Sequence, residues 1–387
     1  MGARQHLAII GDGAVAAAFL SVARLVPGDR LTLIGPNVHR FGAGRFYADH
    51  DARHPWRLAY LLDRPNGEMT EGFADWLAAE WPVLLPEIAV AQPLHVRRWS
   101  EALSEGAFGD FAAPRAIYGR YLARRSSERL AKLVEDGVQV QLITGLATDL
   151  SRADDQFRIT LASGEVIKAD RVDVATGGPA NQRFGVDAGP TAFTTLYDNE
   201  EAIARVLKPG WEVTCLGAST EVLDVMHFLR AAWPTQELRL RVLRDRATPA
   251  LDGDPEYRRL RAAGRIVEEV GRPIWVYAES AGNVRLRITG KECQSQEKTV
   301  PLAINTAGPG DQLLVDILIS GMIAKGWLKL NSAQNRIDVG ARFATDMDGV
   351  RYASDAVAIL NRRPEGVVRQ RVEELVGSFE GDPIETA

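Results

Sequence analysis

An apolar run near the start of the chain, Leu7 to Ile10, breaks into Gly11-Asp12-Gly13. Ala14 to Val26 follows with Val15, Phe19, Val22 and Val26 at helical spacing, and a second apolar run spans Leu31 to Ile34. Strand, glycine turn, helix and strand in that order predict a βαβ unit, and with it a parallel sheet. The turn reads G-x-G-x-x-A: Gly11 permits the tight turn, Gly13 lets backbone amides approach a pyrophosphate, and small Ala16 lets helix and strand pack closely. The positive end of the helix dipole then faces the phosphates.

One position departs from this pattern. Such a unit normally carries Asp or Glu after its second strand to hold the adenosine ribose, yet the strand ends Leu33-Ile34-Gly35-Pro36-Asn37. Asn37 could hydrogen-bond a ribose hydroxyl instead, while His39 and Arg40 could meet a 2′-phosphate. Beyond Phe41 the chain turns helical to about Asp136, with Trp56, Trp76, Trp81 and Trp99, and a strong helix from about Pro114 to Val134. Tyr118 and Tyr121 read as core there, and Arg124, Arg125 and Arg129 as a solvated face.

The periodicity then changes to two. Val138–Ile143, Phe157–Leu161 and Val166–Ala169 read as a β-meander, and Arg171–Ala175 leads into Thr176-Gly177-Gly178-Pro179. A second unit follows: strand Trp211–Leu216, turn Gly217-Ala218-Ser219-Thr220, helix Glu221–Ala232, strand Leu238–Leu243, then Arg244 and Arg246. Strands Ile274–Tyr277, Val284–Ile288 and Val300–Asn305 repeat the earlier order, so ATGGP at Ala175–Pro179 and NTAGP at Asn305–Pro309 pair as counterparts. The fold class expected is α/β, with two Rossmann-like dinucleotide-binding domains, the second inserted in the first. Each carries a β-meander, and the first also holds a helical insertion at about 48–136. The boundaries expected are 1–205 with 313–387 for the first domain and 206–312 for the second.

The order of these motifs resembles a bacterial FAD/NAD(P)-binding family of two-dinucleotide-domain proteins, related in architecture to flavin-dependent N-hydroxylating monooxygenases. The matching pieces are IIGDGAVAA, FGAGRFY, LLDRPNGEM, FADWL, PRAIYGRYL, VATGGP and INTAGPG, spread over most of the chain. The resemblance implies FAD in the first fold, a nicotinamide nucleotide at the second, and redox chemistry between them. It places Gly11, Gly13 and Ala16 along the FAD pyrophosphate, Gly42 and Gly44 close to the flavin, and Thr176 and Gly177 against the cofactor. Arg115, Tyr118, Gly119 and Arg120 would face the cofactor or substrate cleft, the arginines meeting a carboxylate-bearing substrate. Two further departures are Asp63, where the pattern carries Asn, and Ser354-Asp355-Ala356, where a Gly-Asp turn is expected. At the second turn Gly217, Ser219 and Thr220 offer groups for phosphate. Arg244 and Arg246, after the next strand, favour a 2′-phosphate and hence NADPH.

Composition narrows the function classes. With 46 basic against 51 acidic residues there is no basic field for nucleic acid. The run Ala14–Leu20 is far short of the roughly 20 residues of a membrane helix, and the chain reads as cytoplasmic. Two cysteines, Cys215 and Cys293, make neither a disulfide framework nor a metal cluster, and Cys215 reads as a buried strand residue. The activity expected is an NAD(P)H-dependent flavin oxidoreductase using FAD and NADPH, with monooxygenation of a small amine or amino acid as its specific form. The alternatives are a nucleotide-binding partner or scaffold with a degenerate flavin site, and a flavin-free dehydrogenase using Arg40 for NADP(H). No acid–base residue is nominated, because the flavin would carry the chemistry.

Overall fold

The computed structural model describes residues 4–49, 51, 56–62, 65–70, 72–177, 189–244, 251, 253–278, 282–289, 294–307, 316–331, 337–354 and 357–359. The chain opens with β1 (His6–Ile10), α1 (Ala14–Ser21) and β2 (Arg30–Gly35), then three helices, α2 (Phe73–Ala91), α3 (Pro93–Ser104) and α4 (Arg115–Glu135). Strand β3 (Gln139–Thr144) precedes β4 (Ala147–Ala153), β5 (Gln156–Leu161), β6 (Val166–Ala169) and β7 (Arg171–Val174). The second half runs β8 (Ala192–Phe193), α5 (Glu200–Val206), β9 (Val213–Leu216), α6 (Glu221–Ala232), β10 (Leu240–Arg244), α7 (Pro255–Ala262) and β11 (Ile266–Val270). It continues with β12 (Arg272–Ala278), β13 (Val284–Thr289), β14 (Ser295–Val300) and β15 (Leu302–Asn305). The chain then forms α8 (Ile317–Ala324), β16 (Lys329–Leu330), β17 (Ile337–Val339), β18 (Val350–Tyr352) and β19 (Val357–Ile359).

Two five-stranded sheets organise the molecule, in the orders β18-β7-β1-β2-β3 and β11-β10-β9-β15-β8. Every neighbouring pair in both is parallel. The central strands are buried on both faces, which is why Leu7–Ile10, Leu31–Ile34, Val213–Leu216 and Leu302–Asn305 read as mainly apolar runs, with Thr32, Thr214 and Asn305 buried among them. The antiparallel meanders β4-β5-β6 and β12-β13-β14 interrupt the two units at the same stage of each. This is a Rossmann-like α/β fold built twice, with strand β18, which follows the second unit, returning to pair with β7 of the first.

Several expected elements shift. Val138–Ile143 belongs to no meander: residues 139–144 form the edge strand of the first parallel sheet, and its exposed outer side produces the alternation. The run Val300–Asn305 divides at Pro301 into the end of β14 and all of β15, since proline supplies no N–H to either ladder. Helix α1 stops at Ser21 rather than Val26: Val22 caps it, the Ala23 N–H turns to Leu20 O (3.2 Å), and the Val26 N–H donates to Asp29 Oδ2 (2.9 Å), so the chain leaves the helical ladder.

The helices between β2 and β3 enclose their own core, in which Phe73, Leu77, Ile88, Phe111, Tyr118 and Tyr121 are buried and Trp76, Trp81 and Trp99 pack at its edge. Trp56 instead packs edge-on against Phe228 of α6, in the core of the second sheet. Gly119 explains why two of the motifs occur together: a Cβ there would lie 1.8 Å from the Tyr47 carbonyl oxygen, so PRAIYGRYL and FGAGRFY are in backbone contact.

Candidate functional site

The two glycine turns are built on the same backbone hydrogen bonds. The N–H of Gly11 donates to Ile34 O (2.8 Å), and that of Gly217 to Leu243 O (2.9 Å). Across each central strand pair, Ala175 N–H donates to Ile10 O (2.7 Å) and Thr306 N–H to Leu216 O (3.2 Å). Both glycines have positive φ, +118° and +125°, and each turn packs tightly on the strand end beside it. A Cβ on Gly11 would lie 2.1 Å from Ala175 O, and one on Gly217 would lie 2.3 Å from Ala307 Cα. These bonds set Ala175 opposite Thr306, one residue away from the motif alignment of ATGGP with NTAGP. Gly178, Pro179, Pro309 and Gly310 lie outside the described residues.

At the first turn, Ala16 is fully buried, and no side chain caps α1 at Gly13, so the amides of its first turn have no capping acceptor. The Thr176 hydroxyl, after β7, is buried without a hydrogen-bond partner among the described residues; Gly177 follows it with positive φ. A glycine cradle, an uncapped helix start and an orphaned hydroxyl fit a dinucleotide pyrophosphate. Gly42 and Gly44 sit beside this turn: their N–H groups donate to Asp12 O (2.8 and 3.1 Å), and a Cβ on Gly44 would meet Gly13 Cα at 2.7 Å. Asn37 and Arg40 are exposed on the short turn after β2. Asp355 and Asp63 lie outside the described residues.

At the second turn, Ser219 Oγ donates to Thr306 O (2.6 Å) and Thr306 Oγ1 to Gly217 O (2.7 Å), which locks turn to strand end. Thr220 is exposed at the start of α6, its hydroxyl not engaged in capping. Glu221, the first residue of that helix, accepts from Thr195 Oγ1 (2.9 Å) and Leu196 N–H (3.0 Å). Burial pushes its carboxyl up to about 7, which reduces its repulsion of a nearby phosphate near neutral pH. Arg244 ends β10 and pairs through Nε with Glu268 Oε2 at 3.3 Å; Arg246 lies outside the described residues.

Arg115 and Arg120, both expected to face the cleft, each engage carboxylates of the protein itself. Arg115 Nη1 donates to Tyr197 Oη (2.9 Å) and pairs with Asp224 Oδ2 (2.5 Å), and its Nε donates to Leu61 O (3.0 Å). Arg120 grips Asp49 with Nε and Nη2 (2.7 and 2.9 Å) and also pairs with Glu87. Two guanidinium groups that sequence suggested for a ligand are thus neutralised by carboxylates of the protein itself. Tyr118 is core, and Gly119 faces the Tyr47 backbone.

Sequence reasoning missed the network that Arg115 joins. Arg57, 2% exposed, pairs through Nε with Glu200, 0% exposed (3.0 Å), and through Nη2 with Asp198 (3.0 Å). Tyr60 Oη donates to Glu200 Oε1 (3.3 Å), and Tyr197 hydrogen-bonds Asp224. These groups tie the helical segment to the second unit. Burial, with the neighbouring carboxylates, holds both tyrosine hydroxyls well above their ordinary range, so both stay protonated donors. No spacing pattern marks the network, because its members come from four separate segments.

Among the described residues, no cluster of side chains could hold a metal ion, and no helix is long and apolar enough to cross a membrane. Comparison with known proteins agrees with the doubled architecture. Residues 8–179 match the model of the FAD-NAD(P)-binding family. No curated protein matches the chain. Among solved structures, the fold is similar to lysine monooxygenase NbtG from Nocardia farcinica (13% identity, TM-score 0.60, covering 97% of this chain and 99% of that one). It is also similar to the ornithine N-hydroxylase KtzI of Kutzneria sp. 744, solved with reduced FAD, NADP+ and L-ornithine (12%, 0.54, 98% and 99%). A third similar structure is thioredoxin reductase from Lactococcus lactis (12%, 0.55, 97% and 95%).

Proposed function

We propose, from the match of residues 8–179 to the FAD-NAD(P)-binding model, that this chain is a flavin oxidoreductase with FAD at the first glycine turn and a reduced nicotinamide nucleotide at the second. The observation that carries this reading is the equivalence of the two turns, each a tight glycine bend pressed on a strand end at the carboxyl edge of a parallel sheet. The amides opening α1 and the Thr176 hydroxyl would hold the FAD pyrophosphate, and Thr220, with the amides opening α6, that of the nicotinamide nucleotide. When bound, FAD supplies a centre that takes hydride from the nicotinamide and passes electrons to an acceptor. The domains that go with this reading differ from the expected 1–205 with 313–387 and 206–312 at one boundary: β8 pairs with β15, and Phe193, Leu196, Tyr197 and Ile203 pack in the core of the second sheet, so we assign 192–205 to the second domain.

The acceptor we favour is oxygen, in monooxygenation of a small amine or amino acid, rather than a protein dithiol. The chain contains no Cys-x-x-Cys pair, and Cys215 lies fully buried in β9 with its thiol pushed far up by burial, so it supplies no thiolate for disulfide exchange. A second reading, a nucleotide-binding partner or scaffold with a degenerate flavin site, is favoured by Gly35 at the end of β2, where an acid would hold the adenosine ribose. The visible spectrum before and after added FAD, then anaerobic NADPH, separates them. Flavin bands that bleach with NADPH are expected; a colourless protein that takes up no FAD leaves only the second reading.

Arg244 carries the choice of NADPH over NADH in this reading. Arg244→Ala is expected to raise the Michaelis constant for NADPH about tenfold or more, the scale of one charge-assisted contact, with little change for NADH. Equal changes for the two nucleotides would remove the assignment.

A further inference from the structure

We propose that Asp12 reads the adenosine ribose of the first nucleotide in place of the acid that the end of β2 lacks, so that the two units meet the adenosine 2′ position with opposite charges. This rests on the cofactor assignment above. Asp12, between the two glycines of the turn, is 8% exposed, and its Oδ2 accepts the N–H of Asn37 at 2.5 Å. That bond brings its carboxyl over Gly35. A Cβ on Gly35 would stand 2.7 Å from Oδ2 and 2.9 Å from Cγ of Asp12, while the Gly35 backbone has no positive φ and by itself requires no glycine. The missing side chain at the end of β2 is therefore the space that Asp12 fills, and a carboxylate does stand where a ribose-binding acid belongs.

The second unit reverses the arrangement. Gly145 N–H donates to Gly35 O (3.2 Å) and Gly271 N–H to Arg244 O (3.0 Å), which makes Gly35 and Arg244 equivalent, as Asp12 and Ala218 are in the turns. A small residue in the turn accompanies an arginine at the strand end in one unit, and an acid in the turn accompanies a glycine in the other. A carboxylate accepts a hydrogen bond from a free 2′-hydroxyl and repels a 2′-phosphate; a guanidinium does the opposite. Asp12 thereby suits FAD at the first site and opposes NADP(H) there, exposed Arg40 notwithstanding.

The test uses the full chain freed of nucleotide, titrated by flavin fluorescence with FAD and with its 2′-deoxyadenosine analogue. Asp12→Asn keeps an oxygen for the Asn37 N–H and removes the charge. It is expected to weaken FAD about tenfold or more, and removing the 2′-hydroxyl should cost the parent protein a similar factor but cost the variant little. If Asp12→Asn binds FAD as the parent does, or the deoxy analogue loses equally in both, Asp12 only ties the turn to Asn37 and the proposal falls. A second arm needs no variant: ADP should displace FAD from the parent at least tenfold more effectively than 2′-phospho-ADP, and equal displacement overturns the proposal. Failure of the parent to take up any FAD is a separate result, which removes the cofactor assignment itself.

Discussion

Arg57→Met is expected to lower stability by about 3–5 kcal/mol, the cost of leaving a buried charge without its partner. Glu200 has no exposure, and the replacement removes the Arg57 Nε contact while the Tyr60 hydroxyl bond stays. Asp198 and the Arg45 carbonyl lose guanidinium partners in the same change. The double variant Arg57→Met/Glu200→Leu is expected to regain much of the loss, because apolar replacement of an entire buried pair is often neutral. Urea unfolding of parent, single and double variants checks this. A single variant as stable as the parent would show that solvent reaches Glu200 and that the network does not hold the helical segment to the second unit. Arg115→Met, against Asp224, should behave in the same sense; a substrate role for Arg115 would instead leave stability untouched and raise a substrate Michaelis constant.

The contrast between what could and could not be read from sequence follows from burial. Central strands of a parallel sheet are apolar on both faces, so β1, β2, β9 and β15 announce themselves, and the glycines that end them mark the turns. Edge strands carry mixed polarity: Gln139–Thr144 was legible as a strand but not as a member of the parallel sheet, and Ile266–Val270, with Glu268 and Glu269 in it, was not legible at all. Of the candidate site, the residues whose role is backbone geometry were visible, because Gly11 and Gly217 have a spacing. Residues whose role depends on a distant partner were not. Arg115 and Arg120 look alike in sequence to any ligand-binding arginine, and only the folded chain shows Asp224, Asp49 and Glu87 waiting for them. Asp12 is visible in sequence as the middle residue of a glycine turn, but its bearing on Gly35 appears only when the turn lies over the end of β2.

Gly11→Ala and Gly217→Ala are expected to give mirror-image losses. Each introduces a Cβ at a φ that L residues rarely adopt, and each places it far inside contact distance of backbone, 2.1 Å from Ala175 O in one case and 2.3 Å from Ala307 Cα in the other. Backbone cannot yield as a flexible side-chain tip can, so the turn must move away from its strand end, and the amides opening α1 or α6 move with it. Strain of about 1–3 kcal/mol from the dihedral alone, with the displacement added, corresponds to a loss on the order of 100-fold in nucleotide affinity. Gly11→Ala should lose FAD while keeping NADPH binding, and Gly217→Ala should lose NADPH binding while keeping FAD; the ratio of bound flavin to protein and equilibrium titration with NADPH read the two sites separately. Unchanged affinity in both variants would mean that neither turn holds a nucleotide. Loss of both ligands in either variant, with altered far-ultraviolet circular dichroism, would mean that the turns serve the fold as a whole rather than two separable sites.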